Sequence, residues 1–361
     1  MDIDGFQKDL ISWFEVEQRN LPWRENADPY RVWVSEIMLQ QTRVDTVIPY
    51  FNRFMEWFPT LEHFAEAEEE KILKAWEGLG YYSRVRNLQT AIREVKEQYG
   101  GKVPDNHEQM IALKGVGPYT AGAVLSIAYG KPEPAVDGNV MRVLSRILLI
   151  EDDIAKPKTR LIFERAVREL ISHTNPSYFN QALMELGALI CTPTNPSCLL
   201  CPVREHCQAF EEGRQTELPV KVKVKKTKHM KWISAIIRNE TGEYLVQKRP
   251  QKGLLANLWQ FPSFSYEHKL GLHKDMFEDA FEGQFNAAAM LNPVKLADIS
   301  HVFSHLTWEI SVYEGKIEGS ITKEVLEKYQ LMWVSEEKMK DLAFPVPYQK
   351  MWKVYQDREQ E

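Results

Sequence analysis

The four cysteines of this chain lie in one short segment, with the spacing C-x6-C-x2-C-x5-C. They are Cys191, Cys198, Cys201 and Cys207, and three prolines between them disfavour regular secondary structure. Thiolates are soft ligands, so this set suits either zinc or an iron–sulfur cluster. Zinc sites usually pair their cysteines in two short knuckles. The wide first and last gaps therefore favour a cluster, although the grouping alone leaves zinc open.

Two alternatives to a metal site are buried free thiols and two disulfide bonds. The chain begins with no stretch that resembles a secretory signal, and disulfides are rare in the cytosol. No apolar run reaches the length of a membrane span. We therefore expect a cytoplasmic protein in which the cysteines are not paired with one another.

The length of 361 residues fits two domains. The net charge of −6 gives no support to nucleic-acid binding, which has to rest on local features. Six lysines between residues 221 and 231 indicate a solvated linker, with a DNA clamp as the weaker alternative. We predict a first domain over 1–215, a basic linker over 216–230 and a second domain over 231–361.

Hydrophobic periodicity predicts different folds for the two domains. The first shows helical spacing with short loops, so we predict an all-α domain of about ten helices. From Lys231 onward, β-rich segments flank a hairpin signal at Asn239–Gly242, and helical patterns follow near the end of the chain. The second domain is therefore predicted to be α+β.

A glycine-containing hairpin, LKGVGPYT at 113–120, links two predicted helices. Gly115 and Gly117 permit positive φ and close approach of another chain, and the following proline suits a helix start. Backbone N–H groups at a helix start can hold phosphate, so these glycines and Val116 form a candidate contact to the DNA backbone. A tight turn that binds no ligand is the alternative.

Further motifs are LPWR at 21–24, SEIMLQQT at 35–42, GLGYYSR at 78–84 and VDGNV at 136–140. With the hairpin and the cysteine pattern, they resemble the endonuclease III superfamily of DNA glycosylases, most closely the MutY-type adenine DNA glycosylase family. The resemblance is strong over residues 6–210 and looser through the second domain, which resembles the Nudix-like domain of that family. It implies a helix–hairpin–helix glycosylase with a [4Fe–4S] cluster, acting as a monomer on double-stranded DNA at the nucleoid.

Two acidic residues are candidates for catalysis. Glu36 has apolar neighbours in sequence, which favour a raised pKa and a retained proton, although a surface glutamate is the alternative. Asp137 precedes a predicted helix as an N-cap, where the helix dipole favours the ionised form. The family resemblance implies that Glu36 protonates a flipped-out adenine and activates water. It implies that Asp137 stabilises the sugar cation, either directly or through a covalent intermediate, and that Tyr119 and Asn139 support the same site.

The resemblance implies several further site residues, each of which could equally be ordinary packing or helix surface. Those that probe the duplex are Gln41 and Tyr81. Those that line the adenine pocket are Trp23, Arg24, Leu39 and Gln181. Carbonyl groups of Ile111, Leu113 and Val116 match a monovalent-cation site. Bifunctional superfamily members carry lysine where this chain has Tyr119, so strand cleavage by a Schiff base is not expected.

The second domain lacks the magnesium-binding Nudix motif between Lys231 and Glu361, so pyrophosphate hydrolysis is not expected. Phe303, Ser304 and His305 resemble the loop with which the family recognises 8-oxoguanine, and a plain hairpin turn is the alternative. We expect removal of adenine opposite 8-oxoguanine or guanine. The alternatives are a glycosylase for another mismatched base and a non-enzymatic iron–sulfur DNA-binding protein.

Overall fold

The structure is a computed structural model that describes residues 1–222, 228–266, 273–304 and 306–359. Its residues separate into two compact units. The first unit comprises the described residues of Met1–Ala67 and Ser83–Val224, and the second those of Glu68–Tyr82 and Lys225–Glu361. The second unit thus includes a short stretch from early in the chain, which the sequence did not indicate. The boundaries 1–215, 216–230 and 231–361 remain sequence predictions.

The first unit is all-α, as predicted. Its helices within residues 1–222 are α1 Ile3–Glu17, α2 Pro29–Leu39, α3 Val44–Trp57, α4 Leu61–Glu66, α6 Ser83–Gln98, α7 His107–Ala112, α8 Pro118–Tyr129, α9 Gly138–Ile147, α10 Thr159–Leu170, α11 Pro176–Leu189 and α12 Gln208–Glu211. Helix α5, Glu69–Ala75, belongs to the second unit. Helices α1, α9, α10 and α11 enclose an apolar core, against which three of the cysteines pack.

Local sequence explains where the helices that carry the site begin. The Asp28 side chain accepts a hydrogen bond from the Arg31 N–H at 2.8 Å, and Pro29 takes the first helical position of α2. Pro118 likewise takes the first helical position of α8. Helix α8 ends at Gly130, whose φ of 62° is the left-handed conformation that closes many helices. The start of α8 confirms the helix start predicted at the proline of the hairpin.

The second unit contains one mixed sheet with helices on both faces. Among the described residues its strands are β1 Lys228–Arg238, β2 Tyr244–Lys248, β3 Trp259–Gln260, β4 Ser263–Tyr266, β5 Ala288–Leu291, β6 Ala297–Val302, β7 Leu306–Glu318 and β8 Leu331–Val334. The main order is β3-β2-β1-β7-β5, and of the strands in the described ranges only β1 and β7 pair in parallel. The other helices are α13 His273–Phe285, α14 Lys323–Lys328, α15 Glu336–Met339 and α16 Val346–Glu359.

Alternating side chains of β1 pack into two separate cores. Ile236 joins the core under α15 and α16, whereas Ile233 and Ile237 join the core under α13. The predicted hairpin lies between β1 and β2, where the Asn239 N–H donates to the Glu243 carbonyl at 2.9 Å. The α+β prediction is therefore confirmed. No helix in the described part of the chain is both long and apolar enough to span a bilayer.

Candidate active site

A pocket of about 150 Å³ in the first unit brings the two candidate acids together. Glu36 comes from the middle of α2, and Asp137 is the N-cap residue of α9. The other predicted catalytic and pocket residues line the same pocket: Tyr119, Asn139, Trp23, Arg24, Leu39 and Gln181. Side chains that are far apart in the sequence thus form one concave, partly charged site.

Glu36 is buried, with 5% of its surface exposed. This excludes the alternative of a surface glutamate. Its Oε2 accepts a hydrogen bond from the Tyr119 hydroxyl at 2.5 Å. Burial raises the pKa of Glu36 to about 7, against the lowering effect of the Tyr119 bond, and the Asp137 charge adds to the rise. A substantial fraction of Glu36 therefore carries a proton at neutral pH.

Asp137 is the predicted N-cap. Its Oδ1 accepts the Val140 N–H at 2.7 Å and its Oδ2 accepts the Asn139 side-chain amide at 2.8 Å. Both bonds favour the carboxylate, but burial outweighs them and raises the pKa of Asp137 above its ordinary value. The helix start and its bonds thus favour the ionised form, as predicted, but the net direction of the pKa shift is set by burial.

Tyr119 lies in the first turn of α8 and joins the two sides of the pocket. Its hydroxyl donates to Glu36 and lies 3.5 Å from the Met184 sulfur. Burial, with the negative charges of Glu36 and Asp137, raises the pKa of Tyr119 well above its ordinary value. The phenol is thus a neutral hydrogen-bond donor that orients the Glu36 carboxyl.

A buried ion-pair network in the pocket wall was not predicted from the sequence. Glu185 is 1% exposed and accepts hydrogen bonds from Arg19 Nε at 2.8 Å and Arg24 Nη2 at 3.1 Å. Although burial opposes it, these bonds lower the pKa of Glu185 to about 2. Arg24 Nε also donates to Gln181 Oε1 at 2.9 Å. Gln181 and Glu185 are four residues apart on α11, a spacing that could have suggested a shared face.

The predicted hairpin joins α7 to α8. Gly115 has a φ of 77°, and a Cβ there would meet the Asn87 Cβ at 2.8 Å, so glycine is needed for two reasons. Gly117 instead has an extended φ of −102° as the N-cap of α8, which corrects the expectation of positive φ at that residue. A Cβ at Gly117 would meet nothing within 4 Å, so the site is open to an approaching chain.

The remaining hairpin residues have different environments. Val116 is buried and its N–H donates to the Leu113 carbonyl at 3.1 Å, whereas Ile111 is 39% exposed. One lone pair of the Leu113 oxygen is thus used within the turn. A carbonyl oxygen has a second, which is compatible with cation binding.

Both residues expected to probe the duplex have strained backbones. Gln41, in the first unit, has a φ of 58°, and Tyr81, in the second unit, has a φ of 48°. Residues other than glycine rarely adopt this conformation, which costs on the order of 1–3 kcal/mol and tends to occur at functional sites. Both side chains belong to exposed residues.

The four cysteines line one small, apolar cavity together with Arg146. All four are free thiols, so the structure does not contain the two disulfide bonds that were the alternative to a metal site. Arg146, 1% exposed, donates from Nη1 to the Cys191 sulfur at 3.2 Å. Arg142 donates to the Cys191 carbonyl and to Asn139 Oδ1, both at 2.8 Å. Within the described ranges, no group of three or more His, Cys, Asp or Glu side chains has positions that could hold a metal ion.

In the second unit, Phe303 and Ser304 lie in the turn between β6 and β7. The Phe303 N–H donates to the Leu306 carbonyl at 2.7 Å, and its ring packs edge-on against Trp308 at 5.0 Å. Ser304 is exposed. His305 lies outside the described residues, as do Lys223, Lys225 and Lys226 of the basic linker.

Comparison with known proteins identifies both parts of the chain. Residues 34–169 match the HhH-GPD superfamily of base excision DNA repair proteins, and residues 233–354 match the NUDIX domain family. The chain is 34% identical to an adenine DNA glycosylase of Rattus norvegicus, over 99% of its own length and 79% of the relative's. It is 32% identical to an adenine DNA glycosylase of Buchnera aphidicola from Schizaphis graminum, over 98% and 100% of the two lengths. The chain belongs to the adenine DNA glycosylase family.

Solved structures give the same result for the helical part of this glycosylase. A thermostable thymine-DNA glycosylase aligns with a TM-score of 0.52 at 27% identity, covering 58% of this chain and 97% of that one. A non-covalent endonuclease III–DNA complex aligns with a TM-score of 0.50 at 22% identity, covering 59% and 98%. At 22% identity, the endonuclease III structure supports the fold but not the activity. The helix–hairpin–helix prediction and the family resemblance are confirmed.

Proposed function

We propose that the enzyme hydrolyses the N-glycosidic bond of adenine mispaired with 8-oxoguanine or guanine in double-stranded DNA. The observation that carries this proposal is the pairing of Glu36 and Asp137 in one pocket, with Tyr119 bonded to Glu36. Glycosidic cleavage needs a proton donor for the leaving group and a carboxylate for the developing sugar cation. A glycosylase for thymine is disfavoured because the full-length relatives act, by name, on adenine.

The proposed steps follow from the site. The adenine is flipped out of the duplex into the pocket, because its glycosidic bond cannot be reached inside the stack. Glu36 transfers its proton to the base, the bond from base to sugar breaks, and the electron pair of that bond leaves with the adenine. Asp137 stabilises the oxocarbenium-like sugar. Water then adds to the sugar carbon and gives up a proton to the Glu36 carboxylate, which leaves an abasic site, free adenine and a reprotonated Glu36. Asn139 holds Asp137, and Trp23, Arg24, Leu39 and Gln181 enclose the base.

The reaction is proposed to be monofunctional. Cleavage of the strand by a Schiff base needs an uncharged amine at the sugar. Tyr119 occupies the relevant place in α8, and no lysine is among the described residues that line the pocket. The phenol cannot substitute, because it has no amine nitrogen with which to form an imine.

The contacts to DNA are proposed to come from backbone and from two strained residues. Gly115, Val116 and Gly117 present the N-terminal end of α8 to a phosphate. Gln41 and Tyr81 contact the base opposite adenine. A monovalent cation bound by the carbonyls of Ile111, Leu113 and Val116 would brace this hairpin.

The decisive test is incubation of the protein with duplexes that carry adenine opposite 8-oxoguanine, guanine, thymine or cytosine, and with a duplex that carries a guanine–thymine mismatch. We expect free adenine from the first two, and a strand break only after alkali treatment. Strand breaks without alkali would contradict a monofunctional reaction. Release of thymine from a mismatch, with no release of adenine, would contradict the choice of base.

We also propose that Cys191, Cys198, Cys201 and Cys207 hold a [4Fe–4S] cluster. Four unpaired thiols around one cavity, with the Arg146 guanidinium at a sulfur, fit an anionic thiolate-bound group. The cluster would supply rigidity to this segment and take no part in bond breaking.

Anaerobically purified protein is expected to be brown and to contain iron and inorganic sulfide in equal amounts. Cys198→Ser should reduce both, because serine is a poor ligand for iron. Ser197→Ala, at the adjacent position, is the matched control and should leave both unchanged. Stoichiometric zinc in place of iron would contradict the proposal.

The turn with Phe303, Ser304 and His305 is proposed to recognise 8-oxoguanine. Ser304 is exposed at the tip, and Phe303 anchors the turn on Trp308. Hydroxyl and imidazole groups can bond a base edge. Discrimination of the opposite base is then separate from the chemistry at Glu36.

Replacing Phe303, Ser304 and His305 together with alanine is expected to reduce the preference for adenine opposite 8-oxoguanine over adenine opposite guanine. Loss of base-edge hydrogen bonds should cost about 1–3 kcal/mol of discrimination. Single-turnover rates on both duplexes measure this preference. Ser304→Ala alone tests the tip without disturbing the Phe303 packing, and Ser300→Ala, an exposed serine of β6, is its control. An unchanged preference in the triple variant would leave the segment as an ordinary turn.

A further inference from the structure

The stretch Glu68–Tyr82 is early in the chain but belongs structurally to the second unit. It comprises α5 and the turn that follows, and the chain enters the first unit again at Ser83. The strained residue Tyr81 is therefore carried by a segment that the C-terminal part of the protein holds. Contacts within the second unit hold this segment in place.

Two charged residues connect the segment to backbone atoms before α16. Lys74 Nζ donates to the Leu342 carbonyl at 2.9 Å and to Glu77 Oε2 at 2.7 Å. Glu77 Oε1 accepts the Phe344 N–H at 2.7 Å. The Lys74 and Glu77 side chains are only 22% and 19% exposed. Charge-assisted bonds that are shielded from water and made to backbone atoms are stronger and more directional than surface ion pairs.

The contacts at the start of α5 are weaker. Lys248 Nζ lies 2.7 Å from Glu70 Oε1, and Asn257 Nδ2 donates to Glu69 Oε1 at 2.8 Å. The Glu70 side chain is 56% exposed, so solvent screens its ion pair. The Lys74–Glu77 pair is thus the stronger attachment, and it lies next to the turn.

The turn itself is internally rigid. Gly78, Gly80 and Tyr81 all have positive φ, at 95°, 74° and 48°. The fully buried Trp76 donates its indole N–H to the Gly80 carbonyl at 3.0 Å, and the Gly78 N–H donates to the Tyr82 hydroxyl at 3.1 Å. A rigid turn transmits a displacement at Glu77 to Tyr81, whereas a loose one would absorb it.

We propose that Glu77 is a positioning residue through which the C-terminal part of the protein sets the position of Tyr81. The inference rests on the proposed function, because it takes Tyr81 as a contact to the base opposite adenine. Recognition of that base is then shared by the β6–β7 turn and by Tyr81, and both are held by the same unit. The strain at Tyr81 is maintained by bonds to Leu342 and Phe344 rather than by the helical domain alone.

Glu77→Ala removes both bonds of the carboxylate. We expect it to reduce the preference for adenine opposite 8-oxoguanine over adenine opposite guanine by roughly tenfold, as the loss of a hydrogen bond to a charged group implies. The measurement is single-turnover excision at saturating enzyme on both duplexes. Glu66→Ala, which loses an exposed ion pair with Lys96, is the control and should leave the preference unchanged.

A double-mutant cycle separates positioning from general stability. Tyr81→Ala should reduce the preference by itself, and adding Glu77→Ala should then change it little further, since the second residue acts through the first. Additive losses would overturn the proposal, as would an equal loss of rate on both duplexes. If Glu77→Ala does not fold, Glu77→Gln keeps an acceptor for the Phe344 N–H and should retain most of the preference. A wild-type protein that releases no adenine would instead contradict the proposed function.

Discussion

The Glu36→Gln variant is expected to bind mismatched DNA and to release almost no adenine. Glutamine preserves the shape of the side chain and can still accept the hydrogen bond from Tyr119. It has no acidic proton to transfer to the base. General acid catalysis contributes on the order of 10²–10⁴ in rate, so single-turnover excision should fall by at least that range.

Binding and excision must be measured on the same preparation of this variant. A gel-shift titration on an adenine–8-oxoguanine duplex should give nearly the wild-type affinity. Glu62→Gln, a change of an exposed glutamate in α4, controls for the loss of one negative charge in the same unit. Wild-type excision by Glu36→Gln would remove Glu36 from the proposed role.

The raised pKa of Glu36 also predicts how excision depends on pH. A carboxyl with a pKa of about 7 is protonated below that pH and ionised above it. Since the proposed step consumes this proton, the rate should fall by about tenfold for each pH unit well above 7. The residual excision rate of Glu36→Gln should not show this fall above pH 7. This comparison tests whether Glu36 is the titrating group.

Asp137→Asn is expected to cause the second large loss of excision. The sugar cation would lose its carboxylate, and removal of one preorganised charge-stabilising group typically costs about 10²–10³ in rate. The fold should survive, because asparagine is as good an N-cap as aspartate and can keep the bond from the Val140 N–H. Thermal unfolding and cluster content should therefore stay close to those of the wild type.

Asp28→Asn provides a matched control for this substitution. Asp28 is also an N-cap of the first unit, and its carboxylate accepts the Arg31 N–H in the same way. The same chemical change there should leave excision within about twofold of wild type, because asparagine preserves the capping hydrogen bond. Comparable losses in both variants would mean that the helix cap, rather than the charge at the sugar, explains the effect of Asp137→Asn.

Local signals allowed much of the helical fold to be predicted. Proline at a helix start and glycine at its end act within a few residues, so α8 begins and ends where its sequence indicates. The helix α13 was missed, although Phe277, Phe281 and Phe285 recur at the helical spacing of four residues and pack into one core. Strand β5, with four residues, is too short for alternation to identify it.

The site was predicted less completely, because its electrostatics depend on residues that are far apart in the chain. The bond from Tyr119 to Glu36 joins positions 83 residues apart, and that from Arg19 to Glu185 joins positions 166 apart. A motif can indicate that Glu36 is present, but burial by such partners is what raises its pKa. For the same reason, the N-cap position of Asp137 was predictable and the direction of its pKa shift was not.

The attachment of α5 to the segment before α16 has a consequence for the modularity of this family. A protein shortened to its first 222 residues would keep Lys74 and Glu77 but lose the Leu342 carbonyl and the Phe344 N–H that satisfy them. Water would replace these partners, so the Lys74–Glu77 pair would remain as an ordinary surface ion pair and would no longer hold the turn of Tyr81. Relatives without that domain should carry other residues at the positions of Lys74 and Glu77, which an alignment of single-domain and two-domain glycosylases can check.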